Sequence, residues 1–477
     1  MLFNSLTFLV YFPVVTVLYF ALPHRYRWLH LLLASTAFYM AFIPVYVLIL
    51  AFTIVIDYLA GIAIAGADGR RRRLLLVISI VSNVGILFVF KYFNFFNSNL
   101  AALAHFLHWN YPIRNLEIIL PIGLSFHTFQ AMSYTIEVYR RRQAPERHFG
   151  IYALYVMFYP QLVAGPIERP QNLLHQFREH HSFDYERVTA GLRRMLWGMF
   201  KKVVIADNLA IIVNGVYDRP LDYEGFPLLL ATVAFAVQIY CDFSGYSDIA
   251  LGSAQVMGFT LMKNFDHPYG SASIAEFWRR WHISLSSWFR DYVYIPLGGR
   301  GASTLRRCLN LWAVFLLSGL WHGANWTFIV WGALHGTFLT ASILTERVRA
   351  RLASTTRLAD VPALHRGLRI VITFALVTLA WVFFRANSMH DALYILAHLS
   401  LVGGYAGYYV GWKRALVLVV AGMGTLVLLE RTLRDRSLPA LFMTQPRWLR
   451  WAVYVAGVWI IMNLGGIDEL PFIYFQF

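Results

Sequence analysis

The chain has 477 residues, of which 58% are hydrophobic, 17% aromatic and only 14% charged. Soluble domains typically contain about 25% charged residues, and the deficit here extends along the whole length, which excludes a soluble domain beside a single membrane anchor. The formal net charge of +16 is the charge expected when cytoplasmic loops of a membrane protein collect lysine and arginine, so it does not indicate nucleic-acid binding. Two cysteines, Cys241 and Cys308, form no disulfide framework.

Long apolar segments recur from one end of the chain to the other. The first, residues 6–22, has no small-residue cleavage site after it, so we predict a retained helix and not a signal peptide. A segment of about 20 apolar residues can cross a bilayer, and lipid cannot satisfy open backbone groups, so helices are the expected spanning form. We predict an all-α, polytopic integral membrane protein with roughly 10–12 transmembrane helices, forming a single domain over residues 1–477. The further candidate segments are residues 28–43, 45–65, 74–93, 118–138, 226–259, 309–344, 371–384, 415–429 and 452–464. Residues 226–259 are long enough for a span and a further helix.

Basic clusters between these segments predict the topology. Clusters at residues 24–27, 70–73 and 140–142 fall on one side if the N-terminus is outside, and the positive-inside rule makes that side cytoplasmic. The C-terminus is then also outside.

The remaining segments are predicted not to cross the membrane simply. Residues 149–163 are short enough for a re-entrant or core segment, and residues 195–213 contain two lysines and an aspartate within a helical run, which indicates a snorkelling or bundle-facing helix. We also predict a polar stretch at residues 94–115, a basic loop at 347–369 and an outer-surface helix at 393–410.

Residues 319–326, with the sequence Gly-Leu-Trp-His-Gly-Ala-Asn-Trp, join two uncharged runs. An ionisable residue at this depth must find a partner or line a cavity, and an imidazole titrates near neutral pH, which suits a general base. His322 and Asn325 are three positions apart and would share a face if the segment were helical. The residues leave two interpretations open: His322 is a catalytic base, or it is a hydrogen-bonded histidine between helices.

Tryptophans alternate with arginines at Trp278, Arg279, Arg280 and Trp281, and His282 follows directly. Such a stretch is typical of the membrane–water boundary, with rings at headgroup depth and guanidinium groups in water. One interpretation is an interfacial anchor. The other is a cationic, aromatic mouth that gives access to an anionic donor such as a coenzyme A thioester.

Polar residues interrupt the apolar run at Asp242, Ser244, Tyr246 and Asp248. Intramembrane carboxylates are costly and usually face a bundle interior. We favour structural hydrogen bonding around a cavity, which Asn325 would also line, and proton or ion coupling is the alternative. No metal site is expected, since a zinc pair of His322 with the histidine thirteen residues later would need two different helix faces.

These stretches, taken together, resemble the membrane-bound O-acyltransferase (MBOAT) family. The resemblance is to its bacterial branch, which includes the alginate O-acetyltransferase membrane subunit and the D-alanyl transferase of teichoic acids. It covers essentially the whole chain, in one order. The segments that carry it are residues 1–5, 121–126, 164–167, 242–248, 277–282, 320–325 and 383–386, and the aromatic tail.

The resemblance implies a ring of helices around a thinned centre, where a cytoplasmic and an outer funnel meet near an essential histidine. That histidine corresponds to His322, and the family's second polar position corresponds to His282. The resemblance also implies a separate periplasmic or surface partner of the SGNH-hydrolase type, which finishes the transfer to a polysaccharide.

We therefore expect a bacterial inner-membrane acyltransferase that moves an acyl group, first of all acetyl, from a cytoplasmic thioester such as acetyl-CoA towards an exopolysaccharide, with alginate as the first candidate. His322 would take the proton from the attacking hydroxyl and His282 would orient the donor. No bound cofactor is expected. The alternatives are a transporter of an ion or lipid that uses Asp242 and Asp248, and a non-catalytic scaffold of a polysaccharide synthase complex.

The sequence closes with Pro-Phe-Ile-Tyr-Phe-Gln-Phe at residues 471–477. An aromatic belt at the outer interface is one interpretation. The other is an acyl carrier, because the Tyr474 phenol is the only nucleophile of the seven residues and needs a base such as His322 at neutral pH.

Overall fold

The computed structural model describes residues 1–301, 303–403, 444–464 and 471–473, and separate positions between 412 and 424. Within this part of the chain the regular structure is helical and there is no strand, apart from an isolated β-bridge between Gly225 and Leu399. The prediction of an all-α protein is confirmed. Most of the predicted span at 415–429 and the candidate acyl carrier Tyr474 lie outside the described residues.

The α-helices have the following bounds in chain order: α1 (Leu6–Ala21), α2 (His24–Met40), α3 (Val47–Ala65), α4 (Gly69–Leu87), α5 (Phe93–Phe106), α6 (Leu124–Tyr139), α7 (Phe149–Met157), α8 (Pro170–Leu173), α9 (Tyr185–Met199), α10 (Asp207–Tyr217), α11 (Phe226–Met257), α12 (Ile274–Arg280), α13 (Ile283–Phe289), α14 (Thr304–His322), α15 (Trp326–Leu344), α16 (Glu346–Thr355), α17 (Pro362–Arg385), α18 (Met389–His398) and α19 (Arg447–Leu464). Within the described part of the chain, π-helical segments lie at Phe88–Tyr92, Phe200–Ala206 and Arg290–Tyr294. Single 3-10 turns lie at Pro44–Tyr46, His175–Arg178, Pro220–Asp222, Pro268–Gly270, Gly299–Gly301 and Leu358–Asp360.

Five of these helical stretches are long and apolar enough to cross a membrane, judged by length and composition among the described residues. They are Pro44–Ala65, Gly69–Phe106, Phe226–Met257, Trp326–Leu344 and Pro362–Arg385, and α1 is a shorter apolar helix. The protein is thus a multi-pass membrane protein, and the number of roughly 10–12 crossings stays a prediction.

The described residues pack as two compact units. Unit 1 contains Met1–Met195 and Tyr246–Met262, and unit 2 contains Leu196–Gly245 and Lys263–Ile473. Helices α9 and α11 each contribute to both. The division of the chain into a single domain, residues 1–477, stays a prediction.

Unit 1 has its basic loops at one end. Arg141 pairs with Asp68 at 2.8 Å, and Arg72 donates to the carbonyl oxygens of Val138 and Tyr139 at 2.9 and 2.8 Å. The clusters at residues 70–73 and 140–142 therefore lie side by side, as the topology requires. That they share one side is confirmed, and that this side is cytoplasmic stays a prediction.

Two segments that the sequence marks as unusual are buried. Apart from its exposed first residue, Phe149, helix α7 is buried, and so is the irregular backbone after it up to residue 168, which confirms a core segment. Lys201, Lys202 and Asp207 are at most 6% exposed. The bundle-facing interpretation of residues 195–213 is therefore confirmed, and the snorkelling interpretation is wrong for these side chains.

Three predicted boundaries are wrong for identifiable reasons. Residues 226–259 hold one unbroken helix of 32 residues, α11, in place of a span and a further helix, because its polar side chains find partners and do not end it. Residues 94–115 begin with α5, which continues α4 through a π-helical segment. The 347–369 loop is largely helical: α16 begins at Glu346, and α17 begins at Pro362, a residue favoured at a helix start.

Candidate active site

His322 is the last residue of α14 and lies at the turn of a helical hairpin. Gly323 adopts extended backbone with φ −161° and ends the helix. Asn325 then caps α15, since its side-chain oxygen accepts a hydrogen bond from the Thr327 N–H at 3.1 Å. The segment is not a continuous helix, so the shared face expected for His322 and Asn325 is absent. Asn325 is half-buried and orders the turn.

The two arms of this hairpin meet backbone to backbone. A Cβ placed on Gly319 of α14 would come closer than 3.0 Å to the Phe328 carbonyl oxygen, and one on Gly332 of α15 would do the same to the Phe315 carbonyl oxygen. Only glycine permits this approach at both positions. Because Gly319 is three residues from His322, the close crossing fixes the depth of the histidine in unit 2.

Aromatic rings surround the His322 imidazole. The ring centroids of Trp321, Trp331 and Phe384 lie 4.8, 5.1 and 5.2 Å from it, and His322 is 5% exposed. Aromatic walls of this kind exclude water and fix the plane of the imidazole. The position suits a base that acts in a dry site.

His282 belongs to the same group of side chains. The Trp321 ring, which contacts His322, lies 6.3 Å from the His282 ring, and Phe243 lies 4.7 Å from it on another side. The structure therefore brings the two predicted histidines together, with Trp321 next to both.

Local backbone and hydrogen bonds fix the His282 ring. The residue has φ 43° and ψ 56°, a left-handed conformation that costs a non-glycine residue about 1–2 kcal/mol. Its Nδ1 lies 3.1 Å from the Asn264 Oδ1, which also accepts from the Ser284 hydroxyl at 3.0 Å. Since a carbonyl oxygen only accepts, Nδ1 carries the proton and Nε2 holds the lone pair. His282 lies outside the five candidate spans, and burial lowers its pKa to about 3, so the ring is neutral.

In the stretch of alternating tryptophans and arginines, the tryptophans face the interior of unit 2 and the arginines face its surface. Trp278 and Trp281 are 9% and 1% exposed, and the Trp278 indole donates to the His335 Nδ1 at 3.2 Å. Arg279 is exposed. Helix α12 is only seven residues long and packs its rings into unit 2, Trp278 against Trp331 of α15 and Trp281 against Trp381 of α17. The depth of these rings in the membrane stays a prediction.

The second arginine of this stretch has a defined partner. Arg280 pairs with Glu276 at 2.7 Å, with a quarter of its side chain exposed. Arg279 is therefore exposed and Arg280 partly exposed, and guanidinium groups with this exposure are available to a negatively charged ligand.

The polar residues of α11 are bonded to cations and backbone. Within unit 2, Asp242 pairs with Lys202 at 2.8 Å and Ser244 accepts from Lys201 at 2.9 Å.

Within unit 1, the Tyr246 hydroxyl accepts from the Ala164 N–H at 3.2 Å and Asp248 pairs with Arg194 at 2.9 Å. These contacts support the interpretation of structural hydrogen bonding over ion coupling.

Two features of unit 2 are absent from the sequence prediction. One is the indole–imidazole bond of Trp278 to His335, which the sequence could not reveal because the two residues are 57 positions apart. The other is the pairing of Lys202 with both Asp207 and Asp242, for which the charges inside the apolar runs were the available signal. Among the described residues no group of three His, Cys, Asp or Glu side chains could hold a metal ion.

Comparison with known proteins gives a match to the family model described as MBOAT, membrane-bound O-acyltransferase family, over residues 83–384. These residues include both histidines and the Trp278–Trp281 stretch. The chain is similar to a probable alginate O-acetylase of Azotobacter vinelandii, with 40% identity over 85% of this chain and 79% of the relative. It is also similar to a peptidoglycan O-acetyltransferase of Helicobacter pylori, with 34% identity over 85% of this chain and 80% of the relative, and to a teichoic acid D-alanyltransferase of Bacillus subtilis, with 27% identity over 59% of this chain and 72% of the relative.

Proposed function

The chain belongs to the membrane-bound O-acyltransferase family and is an O-acyltransferase of multi-pass membrane type, and from this premise we propose that it transfers acetyl groups across the bacterial inner membrane for the O-acetylation of an extracytoplasmic polysaccharide. Alginate is the first acceptor to test, because the relative at 40% identity is named for alginate. Peptidoglycan is the second, from the relative at 34% identity.

The observation that carries the proposal is His322 at the end of α14, inside a wall of aromatic rings, with His282 in the same group. His322 accepts a proton from the attacking hydroxyl, and the resulting oxyanion attacks the thioester carbonyl carbon. The new C–O ester bond forms, the C–S bond breaks, and the departing thiolate takes up a proton. Base catalysis of this kind contributes about 10²–10⁴-fold.

The donor is a thioester, acetyl-CoA first of all, which approaches from the cytoplasmic side. Its phosphates carry negative charge that Arg279 and Arg280 can meet, and the indoles of Trp278 and Trp281, buried in unit 2, anchor the helix that presents both arginines. The neutral His282 ring orients the donor through the lone pair of its Nε2, which can accept a hydrogen bond from an N–H or O–H group of the donor. The chemistry needs no metal and no bound organic cofactor.

Tyr474 is the proposed acceptor within the chain. Its phenol is the only nucleophile among residues 471–477. The phenol loses its proton to His322 and becomes an acetyl ester. A separate periplasmic or surface protein of the SGNH type then moves the acetyl group to a polysaccharide hydroxyl and regenerates the phenol.

The test is Tyr474→Phe, which keeps the ring and loses only the hydroxyl. We expect polymer acetylation to be lost while membrane insertion is retained. In wild-type protein without the partner, peptide mass spectrometry is expected to find acetyl on Tyr474. Normal acetylation by Tyr474→Phe would mean direct transfer from thioester to acceptor, without a tyrosine ester.

A further inference from the structure

Unit 2 buries a lysine between two carboxylates. Lys202 is 1% exposed, and its Nζ lies 2.7 Å from Asp207 Oδ1 and 2.8 Å from Asp242 Oδ1. Charges taken out of water are costly, and their mutual attraction offsets the cost only when geometry and further hydrogen bonds are favourable. One lysine and two aspartates also leave one excess negative charge for other groups to stabilise.

Local backbone features bring these charges together. Lys202 lies in the π-helical segment Phe200–Ala206 between α9 and α10, and π-helical turns are often found at functional sites. Gly245 of α11 faces this segment so closely that a Cβ there would lie 2.8 Å from the Gly198 carbonyl oxygen. The close approach lets the Lys202 side chain reach Asp242 on α11.

Residues 471–473 provide further contacts for Lys202 and Asp242. The second oxygen of Asp242 accepts from the Ile473 N–H at 2.9 Å, and the Lys202 ammonium donates to the Pro471 carbonyl oxygen at 3.4 Å. The same ammonium lies 4.6 Å from the centre of the Phe472 ring, within cation–π distance. Three consecutive residues are thus each contacted through a different chemical group.

The residues around this contact are closed to solvent. Phe472 and Ile473 are 1% and 4% exposed. Upstream, Asn208 of α10 donates to the carbonyl oxygen of Leu464, the last residue of α19, at 3.0 Å. Helices α10 and α11 therefore hold the chain both before and after residues 465–470.

We infer that Lys202 and Asp242 form a peptide-docking site whose ligand is the Pro471–Ile473 segment of the same chain, and that they are positioning residues for Tyr474, which is bonded to Ile473. The ligand chemistry is a carbonyl oxygen, an aromatic ring and an N–H in successive residues. The docking itself stands on the contacts alone, and its consequence for catalysis rests on the proposed role of Tyr474.

A purely structural ion pair is the competing explanation, and the chain offers a matched control for it. Lys201 is also buried, at 4% exposure, in the same π-helical segment, but it donates to the Ser244 hydroxyl at 2.9 Å. Replacing either lysine by methionine removes one buried ammonium group from the same segment. Lys202→Met also removes the hydrogen bond to Pro471 and the cation–π contact with Phe472.

The experiment measures the accessibility of position 473 in the full chain. Ile473→Cys keeps the N–H that bonds to Asp242, and its reaction with a maleimide is followed by peptide mass spectrometry, separately from the buried Cys241 and Cys308. We expect Lys202→Met and Asp242→Leu to accelerate labelling about tenfold or more, since each loses a hydrogen bond to a charged group. Lys201→Met should label at the starting rate.

Phe472→Leu keeps the test decisive if Lys202→Met does not accumulate, because it leaves all three charges in place. Loss of the cation–π contact should raise labelling severalfold. Equal labelling rates for the Lys201 and Lys202 variants, or no change with Phe472→Leu, would overturn the docking site.

Acetylation provides the second measurement. Lys202→Met should lower the fraction of Tyr474 that carries acetyl. If Lys202→Met accelerates maleimide labelling at position 473 about tenfold but leaves Tyr474 acetylation unchanged, the positioning role is overturned. Tyr474→Phe in the Ile473→Cys chain should not alter labelling. A failure of the tyrosine-carrier proposal would therefore leave the docking result intact, and the two failures can be told apart.

Discussion

The close crossing of α14 and α15 is the feature of the site that one methyl group can disturb. In Gly319→Ala, the added Cβ would come closer than 3.0 Å to the Phe328 carbonyl oxygen, whereas ordinary van der Waals contact begins at 3.4 Å. The neighbouring atom is backbone, so no side chain can move aside. The helices must separate locally, by on the order of 1 Å.

The expected effects on stability and on activity differ in size. Overpacking typically costs about 1–3 kcal/mol, and alanine regains about 1 kcal/mol of helix propensity relative to glycine, so the net destabilisation should be small. His322 is less than one turn from Gly319 and packs on Trp331 of the other arm. A misplacement of about 1 Å at a reacting group can cost on the order of 100-fold in rate. We therefore predict that Gly319→Ala loses activity by about 100-fold while the protein remains folded.

The assay compares polymer acetylation with thermal stability in detergent for Gly319→Ala and Gly367→Ala. Gly367 lies within α17, and a Cβ placed there would meet nothing within 4 Å. This control should be stabilised by up to about 1 kcal/mol and should keep its activity. If Gly319→Ala retains more than about a third of wild-type acetylation, the crossing does not set the position of His322, and the reasoning from the 1 Å displacement is refuted.

Three further predictions follow from other parts of the structure. Cysteines introduced by Arg71→Cys and Arg142→Cys should be labelled from the same side of the membrane, the cytoplasmic one, and labelling from opposite sides would contradict the topology. Arg279→Ala and Arg280→Ala should raise the KM for acetyl-CoA with little effect on folding, and unchanged kinetics in both would leave these arginines without a role in donor binding. His282→Gln should lower the rate without moving the pH profile between about pH 5 and 9, because the buried ring is already neutral there, and a shifted apparent pKa would show that His282 titrates during the reaction.

The sequence was most informative where a residue conflicts with its surroundings. A histidine between two uncharged runs predicted the place of His322, and the lysines and aspartate inside residues 195–213 indicated a buried, bundle-facing segment. Both signals come from the cost of polar groups in an apolar environment. That cost is local, so a single sequence can reveal it.

Helix boundaries and side-chain partners were harder to predict, because they depend on contacts distant in sequence. Helix α11 continues through residues 242–248 since partners elsewhere in the chain satisfy its polar side chains. The tryptophans of α12 were expected at the membrane surface, because alternation with arginine is typical of an interface. Their burial depends on α15 and α17, and the sequence alone does not specify that packing.

The central claim is that His322 is the base of an O-acetyl transfer, and the most direct measurement is acetylation by His322→Ala in cells that contain the partner and the polymer. The matched control is His390→Ala, since His390 is an exposed histidine on α18. We predict that His322→Ala inserts into the membrane normally and loses acetylation by at least about 100-fold, the lower range for base catalysis, while His390→Ala is unchanged. Acetylation by His322→Ala above roughly a tenth of the wild-type level would contradict a catalytic base at this position.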